Sequence, residues 1–322
     1  MDRTVLIDGN NLLHRAHHVF VKDRVPPMLS PDGYPTGLIY GALSMLSDWL
    51  CSIVRPTKIV YFQDGAPTRR RAIDPQYRLR EEGHFEAGKG TAIKLVDGHE
   101  SSCESSVVAH VMTLLGVDVH GHPDEEADDL IASYVRKHEG IHVIVSSDRD
   151  FYQLLTDDRV ILYRPGVDGD RFFDAEKAVD DMMKRHKVHV PPANILMFKA
   201  LTGDPSDNIK GVPHLRKKVA APLCSLGSMI NFFASGLPGF SKLERQRTEE
   251  MRSRLELNLE LVRMHTDVPL NPIPGCLDLE KARDVLRSLG IHGVDLSPFH
   301  RREPGTVRTS MALDDFYADF LG

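Results

Sequence analysis

Acidic residues follow three stretches of apolar and β-branched residues, at the point where each stretch ends. Asp8 follows VLI, Asp64 follows IVYFQ and Asp148 follows HVIVSS. The carboxyl ends of parallel strands form the ligand crevice of an open α/β sheet, so we expect these carboxylates to converge. Each one alone is more typical of a turn or a helix cap than of a ligand site. Their recurrence on successive strands favours one shared acidic site.

Further carboxylates stand at the start of a helical pattern or in turn sequences. Glu126 and Asp129 are separated by three positions and therefore share one helix face. Acids in the first turn of a helix are also explained by the helix dipole. The motif DPSD is also typical of a turn that caps the next helix. The additional candidates are Glu126, Asp128, Asp129, Asp150, Asp204 and Asp207.

This set contains no His or Cys, and oxygen ligands of this kind favour Mg²⁺ or Mn²⁺ over zinc. Two such ions, roughly 3.5–4 Å apart, would activate water and stabilise a phosphodiester under attack. The net charge of −6 argues weakly against a nucleic-acid partner, because nine acids committed to a metal site account for all of the excess. The pattern predicts a metal-dependent phosphodiesterase.

Strands alternating with helices position these acids in an α/β fold with a parallel sheet. The predicted strands span 4–7, 58–62, 117–119, 141–146 and 160–163. The predicted helices begin near residue 12 and span 36–53, 107–115, 125–137, 194–201, 215–223 and 244–264, with a helical turn at 150–155. No further strand is predicted from about residue 191.

Five motifs resemble the 5′-nuclease family, which includes flap endonucleases, the 5′-nuclease domain of bacterial DNA polymerase I and phage 5′-exonucleases that remove RNA primers. They occur in family order over residues 4–222, about two thirds of the chain: VLIDGNNLLHR, VYFQDGAPTRRR, DEEADDLIASYV, VSSDRDFYQLL and ALTGDPSDNIKGV. The resemblance implies a parallel-rich central sheet flanked by helices, a PIN-like core. It also implies a helical arch at about 68–102 and a helical C-terminal subdomain. The expected domains are 1–190, 191–268 and 269–322.

The resemblance also implies the residues of the active site. It assigns one metal ion to Asp8, Asp64, Glu126 and Asp128, with Asp129 close by, and a second to Asp148, Asp150, Asp204 and Asp207. Arg15 matches a basic residue that contacts the scissile phosphate. Arg78 stands where the family usually has lysine and would stabilise transition-state charge.

DNA contacts are expected in two basic segments. In the arch, basic and aromatic residues suit phosphate contact and base stacking, although an ordinary charged loop has a similar composition. Residues 208–221 resemble a helix–three-turn–helix, which holds duplex phosphates, often with K⁺. His214 and Arg216 stand where the family usually has glycines, so the resemblance does not decide whether K⁺ binds there. The expected DNA-binding residues are Arg69, Arg70, Arg71, Arg78, Arg80, Lys210, Arg216, Lys217 and Lys218.

The C-terminal residues 310–322 place apolar side chains on one face of a short helix. This pattern predicts docking either on a sliding clamp or single-strand-binding protein, or on the chain's own domain. The four cysteines are widely spaced, and no transmembrane or secretory segment is predicted, which indicates reduced thiols and a cytoplasmic protein. For a viral enzyme this would be the host cytoplasm. The chain is also expected to be a monomer.

The expected function is a Mg²⁺-dependent, structure-selective 5′-nuclease, acting as a 5′-3′ exonuclease or flap endonuclease on DNA with 5′ single-strand/duplex junctions. RNA–DNA hybrids are a further expected substrate, and primer or flap removal the expected role. Two alternatives stay open: a PIN-type ribonuclease, which the chain length disfavours, and a non-catalytic nucleic-acid-binding module, which would be expected to lack some of the acids.

Overall fold

The computed structural model describes residues 3–53, 56–79, 93–166 and 171–300. The Cα positions form two compact units, residues 1–65, 83–147 and 266–322, and residues 66–82 and 148–265. We call them the first and the second unit. They interleave along the chain, whereas the expected domains follow one another. The expected domain boundaries near residues 190 and 268 therefore stay predictions.

Short strands and longer helices alternate through the first half of the chain. The strands of the first unit are β1 Arg3–Asp8, β2 Lys58–Gln63, β3 Ile93–Lys94, β4 Glu100–Ser101, β5 Asp118–Gly121 and β6 Ile141–Val145. Those of the second are β7 Val160–Tyr163, β8 Phe172–Phe173, β9 Gly203–Asp204 and β10 Ile209–Lys210. The predicted strands are thus present, each within three residues of the expected bounds.

The helices of the first unit are α1 Gly9–Ala16, α2 Gly37–Ser52, α4 Glu104–Leu114, α5 Ala127–Lys137, α12 Leu279–Ser288 and α13 Ser297–His300. The second unit contains α3 Thr68–Ile73, α6 Ala175–His186, α7 Ile195–Thr202, α8 Lys217–Leu223, α9 Met229–Ala234, α10 Lys242–Glu250 and α11 Arg252–Val262. A 3₁₀-helix spans Asp150–Leu154. None of the helices described is long and apolar enough to cross a bilayer.

A parallel sheet forms the core of the first unit, with strand order β5-β2-β1-β6. Its register pairs Asp8 with Phe62 and Ile7 with Val145. Nearly all residues of β1, β2 and β6 are buried, as expected for strands covered on both faces. The register brings the carboxyl ends of β1, β2 and β6 to one edge.

The second unit is mostly helical and corrects several expectations. β7 pairs antiparallel with β8, because the eight-residue connection between them is too short for a parallel crossover. β9 and β10 form a two-residue antiparallel pair where no strand was expected. The helix predicted at 244–264 is two helices that meet at Met251, and α6 and α9 of this unit were not predicted. In the first unit, α12 and α13 were not predicted either.

Candidate active site

The first acidic cluster comprises Asp8, Asp64, Glu126, Asp128 and Asp129, all in the first unit. Asp8 ends β1, and Asp64 lies two residues beyond Phe62, the register partner of Asp8 on β2. Carboxylate oxygens of Glu126, Asp128 and Asp129 lie within 4.8 Å of one another at the start of α5. The structure therefore brings these three acids together.

Hydrogen bonds fix the Asp8 carboxylate. Its Oδ1 accepts from the Asn11 backbone N–H at 3.0 Å, and its Oδ2 accepts from the Ser146 hydroxyl at 2.7 Å. Asn11 also exchanges hydrogen bonds with Ser147, which follows β6. At Gly9 a Cβ atom would lie 2.4 Å from the Phe62 carbonyl oxygen, so the tight turn after β1 requires glycine. Asp8 is therefore a helix cap and a member of the acidic cluster at once.

The electrostatics of Asp8 indicate a site built for a cation. Burial, together with the charges of Asp64 and Asp128, raises its pKa to about 7, despite hydrogen bonds from Asn11 and Ser146 that lower it. A carboxylate in this position needs a neighbouring positive charge to be fully ionised at neutral pH.

Asp64 connects the end of β2 to α5. Its Oδ1 accepts from the backbone N–H of Ala127 at 2.7 Å, so it satisfies a donor of the first helical turn. Glu126 precedes the helix, but its side chain makes no capping hydrogen bond. Capping therefore explains Asp64 in part and does not explain the buried carboxylate of Glu126.

The second acidic cluster comprises Asp148, Asp150, Asp204 and Asp207, all in the second unit. Carboxylate oxygens of Asp150, Asp204 and Asp207 lie within 4.8 Å of one another. Asp148 is exposed, and its Oδ1 accepts from the Asp150 backbone N–H at 2.9 Å. The four acids expected for a second metal ion therefore come from two adjacent loops of one unit.

Lys199, which the sequence analysis did not single out, lies inside this second cluster. Its ammonium is 2.5 Å from Asp204 Oδ2 and also pairs with Asp150. Burial alone would lower the pKa of Lys199, but the carboxylates of Asp150, Asp204 and Asp148 raise it. Lys199 is thus an internal cation among the acids. Its position on α7, five residues before Asp204, was the available signal.

The two arginines with expected catalytic roles lie in different environments. Arg78 Nε donates to Asp207 Oδ1 at 2.7 Å, so this guanidinium belongs to the second cluster. Its backbone is left-handed, with φ of 47°. Arg15 lies on α1 with its guanidinium 5.9 Å from the Trp49 ring centroid. Its Nε is buried without a hydrogen-bond partner among the described residues.

The expected DNA-binding residues of the arch separate into distinct environments. Arg70 is only 2% exposed and donates to the carbonyl oxygens of Leu261 and Arg263. It is therefore a structural residue, a correction to the expected DNA contact, because its guanidinium is already buried against protein acceptors. Arg71 is exposed and Arg69 half-buried. Arg80 and the arch segment 80–92 lie outside the described residues.

In residues 208–221, where the resemblance implies a helix–three-turn–helix, Lys210 and Lys218 are exposed. Arg216 pairs with Glu244 at 2.6 Å. His214 adopts φ of 57°, the left-handed conformation that glycine would take most easily. The turn therefore forms without that glycine.

The donors of both clusters fit hard divalent cations, since they are carboxylate oxygens only. Asp8, Asp64, Glu126 and Asp128 could hold one ion, and Asp148, Asp150, Asp204 and Asp207 another. In the second cluster the ammonium of Lys199 demonstrates that the acids accept a positive charge.

Comparisons with known proteins agree with this arrangement. Residues 3–183 match the family model of the 5′-3′ exonuclease N-terminal resolvase-like domain. A 5′-3′ exonuclease of Streptomyces coelicolor is 30% identical over 272 residues, covering 83% of this chain and 87% of that protein. DNA polymerase I of Mycobacterium tuberculosis is 30% identical over 288 residues, or 86% of this chain, which spans only 28% of the polymerase.

The fold is also similar to solved structures. The flap endonuclease of bacteriophage T5, solved with DNA and metal ions, has a TM-score of 0.57 at 19% identity, covering 92% of this chain and 96% of that one. With the matched family model extending over more than half of the sequence, the chain belongs to the 5′-3′ exonuclease family.

Proposed function

We propose that this member of the 5′-3′ exonuclease family is a structure-selective 5′-nuclease that hydrolyses phosphodiesters with two divalent ions, Mg²⁺ or Mn²⁺. The single observation that carries the proposal is the pair of carboxylate clusters, with the raised pKa of Asp8 in one and Lys199 among the acids of the other. Divalent ions, when bound, would supply charge stabilisation and a more acidic attacking water.

The chain's own residues have separable roles in this proposal. The acids of the two clusters bind the ions. Arg15, with its buried unpartnered Nε, orients the scissile phosphate. Arg78 and Lys199 are held by Asp207 and Asp204 and add positive charge next to the reacting phosphate.

The proposed substrate is DNA with a 5′ single-strand/duplex junction, and also RNA in RNA–DNA hybrids, during primer or flap removal. The T5 flap endonuclease solved with DNA and metal ions supports this substrate class. We further propose a cytoplasmic monomer. Docking of 310–322 on a sliding clamp or single-strand-binding protein also stays a proposal, and that segment lies outside the described residues. Residues 208–221 are a candidate K⁺ site, so cleavage is compared with and without K⁺.

The decisive experiment compares Asp148→Asn with Asp158→Asn, an exposed acid of the same unit that lies outside the second cluster. Labelled 5′-flap DNA, nicked duplex, RNA–DNA hybrid and single-stranded RNA are incubated with Mg²⁺, with and without K⁺. We expect Asp148→Asn to reduce cleavage about 100-fold or more. Binding in metal-free buffer should change little, because the variant removes a metal ligand and leaves the basic surface intact.

The control Asp158→Asn should cleave like the wild type. Full activity in Asp148→Asn would remove this acid from the metal site. Wild-type preference for single-stranded RNA would favour a PIN-type ribonuclease, and binding without cleavage would favour a non-catalytic module.

A further inference from the structure

The end of α6 carries a basic segment with no part in either acidic cluster. Lys184, Arg185 and Lys187 are all exposed. Lys187 ends the helix in the left-handed conformation, with φ of 60°, and its ammonium donates to the Lys184 carbonyl oxygen at 3.0 Å. Three cations are therefore presented to solvent within four residues.

A contact within the second unit joins this segment to the start of α8. The ammonium of Lys217 donates to His186 Nδ1 at 2.9 Å. The His186 ring packs 5.5 Å from the Phe198 ring, centroid to centroid. Burial, then the charges of Lys217 and Arg185, lower the pKa of His186 to about 4, so the neutral imidazole is the acceptor at pH 7. His186 thereby orients the Lys217 side chain.

Helix stability does not explain this gathering of charge. Cations in the last turn of α6 do complement its dipole. Lys217 and Lys218, however, stand in the first turn of α8, where the same dipole disfavours positive charge. Like charges brought together against the helix dipole are stabilised by an external anion, and a chain of phosphates is an anion of suitable extent.

We propose that Lys184, Arg185 and Lys187 together with Lys217 and Lys218 form one continuous surface for a nucleic-acid backbone. We call it the α6–α8 basic surface. It would hold duplex phosphates without reading base sequence, since it offers ammonium and guanidinium groups only. The surface rests on the proposed function for the identity of its ligand, and it extends the expected duplex contact from residues 208–221 to α6.

The test uses the full chain and a fluorescently labelled 5′-flap duplex in metal-free buffer over a series of salt concentrations. The triple variant Lys184→Ala, Arg185→Ala, Lys187→Ala is compared with Lys281→Ala, Arg283→Ala, Arg287→Ala. The second variant removes three exposed cations from α12 of the first unit. Both variants therefore lose the same formal charge.

We expect the α6 variant to reduce the slope of log affinity against log salt by up to about 2.7, from about 0.9 for each lost phosphate contact. Its affinity at low salt should fall about tenfold or more, while the α12 variant keeps the wild-type slope. His186→Phe retains an aromatic ring against Phe198 and removes the acceptor for Lys217. We expect it to weaken duplex binding severalfold without changing net charge at neutral pH.

Equal salt slopes for the two triple variants would overturn the proposal. A lower melting temperature of the α6 variant with unchanged DNA binding would also overturn it, because the cations would then only complement the helix dipole. Cleavage of the same flap by the wild type with Mg²⁺ is measured in parallel. If the wild type does not cut, the proposed nuclease function fails, whereas the salt slopes still decide the basic surface. If it cuts and the slopes agree, only the basic surface is wrong.

Discussion

At the scale of single residues, the second acidic cluster contains two largely buried cations, Lys199 and Arg78. Lys199 lies among Asp150, Asp204 and Asp148, and its side chain is 16% exposed. Removing one partner from a buried charged group leaves the others uncompensated, which is strongly destabilising. The same ammonium shares its carboxylate ligands with any divalent ion that binds there. We therefore expect Lys199 to stabilise the cluster and to compete with a divalent ion for its carboxylates.

We predict that Lys199→Gln lowers the melting temperature in EDTA by an amount corresponding to about 3 kcal/mol, the lower range for breaking a buried ion pair. Saturating Mg²⁺ should recover more stability in the variant than in the wild type, because the ion then supplies the missing charge. Differential scanning fluorimetry with and without Mg²⁺ measures both values. An equal Mg²⁺ effect in the two proteins would contradict the competition.

At the scale of elements, α6 holds the 3₁₀-helix that carries Asp150. Asp181 on α6 accepts from Arg149 Nε at 2.6 Å and from the Tyr152 hydroxyl at 3.0 Å. The buried Arg164 donates to the same hydroxyl at 2.7 Å and lies over the Phe173 ring. Arg149 stands between Asp148 and Asp150 in sequence, so we expect this network to help orient both metal-ligand candidates. Asp181 would then act as a positioning residue.

We predict that Asp181→Asn raises the Mg²⁺ concentration for half-maximal cleavage severalfold, because Arg149 loses its charged partner and the ligands beside it lose their alignment. The Michaelis constant for DNA should change little, which separates this effect from a general loss of structure. A control variant, Asp180→Asn, changes the exposed neighbouring acid of α6. Unchanged Mg²⁺ dependence in Asp181→Asn would remove its positioning role.

The same variant should alter the pH dependence of stability. Burial would raise the pKa of Asp181, but Arg149, Tyr152 and Arg164 outweigh it and hold the pKa below its ordinary value. A lowered pKa in the folded state stabilises the protein above the unfolded pKa of about 3.9, and this is lost as pH falls through the folded value. The stability difference between wild type and Asp181→Asn should therefore shrink below about pH 4 in urea unfolding experiments.

At the scale of the whole molecule, the net charge of −6 conceals a separation of sign. Nine of the 46 acidic residues belong to the two acidic clusters, whereas the proposed α6–α8 basic surface contains five of the 40 lysines and arginines. Bound divalent ions would bring the net charge toward neutrality and reduce repulsion of a nucleic acid.

We therefore predict that Mg²⁺ increases the duplex affinity of Asp148→Asn less than the duplex affinity of the wild type. Both affinities are measured on a nuclease-resistant phosphorothioate duplex. The reason is that the variant holds fewer ions in the second cluster. Ionic strength is kept constant with NaCl as the control condition. The same Mg²⁺ effect in both proteins would mean that bound ions do not control the electrostatic potential where the duplex binds.

The sequence by itself determined which chemistry is available. Strand-end acids indicated the sheet edge and an all-oxygen ligand set, because side-chain alternation and turn chemistry are local properties. Five motifs carried the resemblance to the 5′-nuclease family. The family comparison confirmed the last of these, and the predicted strands are present.

Only the tertiary structure decided which charges meet. Arg70 looked like its neighbours in sequence, but packing against α11 buried it, and Lys199 became a cluster member through the folding of α7 against two loops. The joining of α6 to α8 through His186 and Lys217, 31 residues apart, is likewise invisible to local pattern. The physical reason is that burial and charge pairing depend on distances in space, which sequence spacing fixes only within one helix or strand.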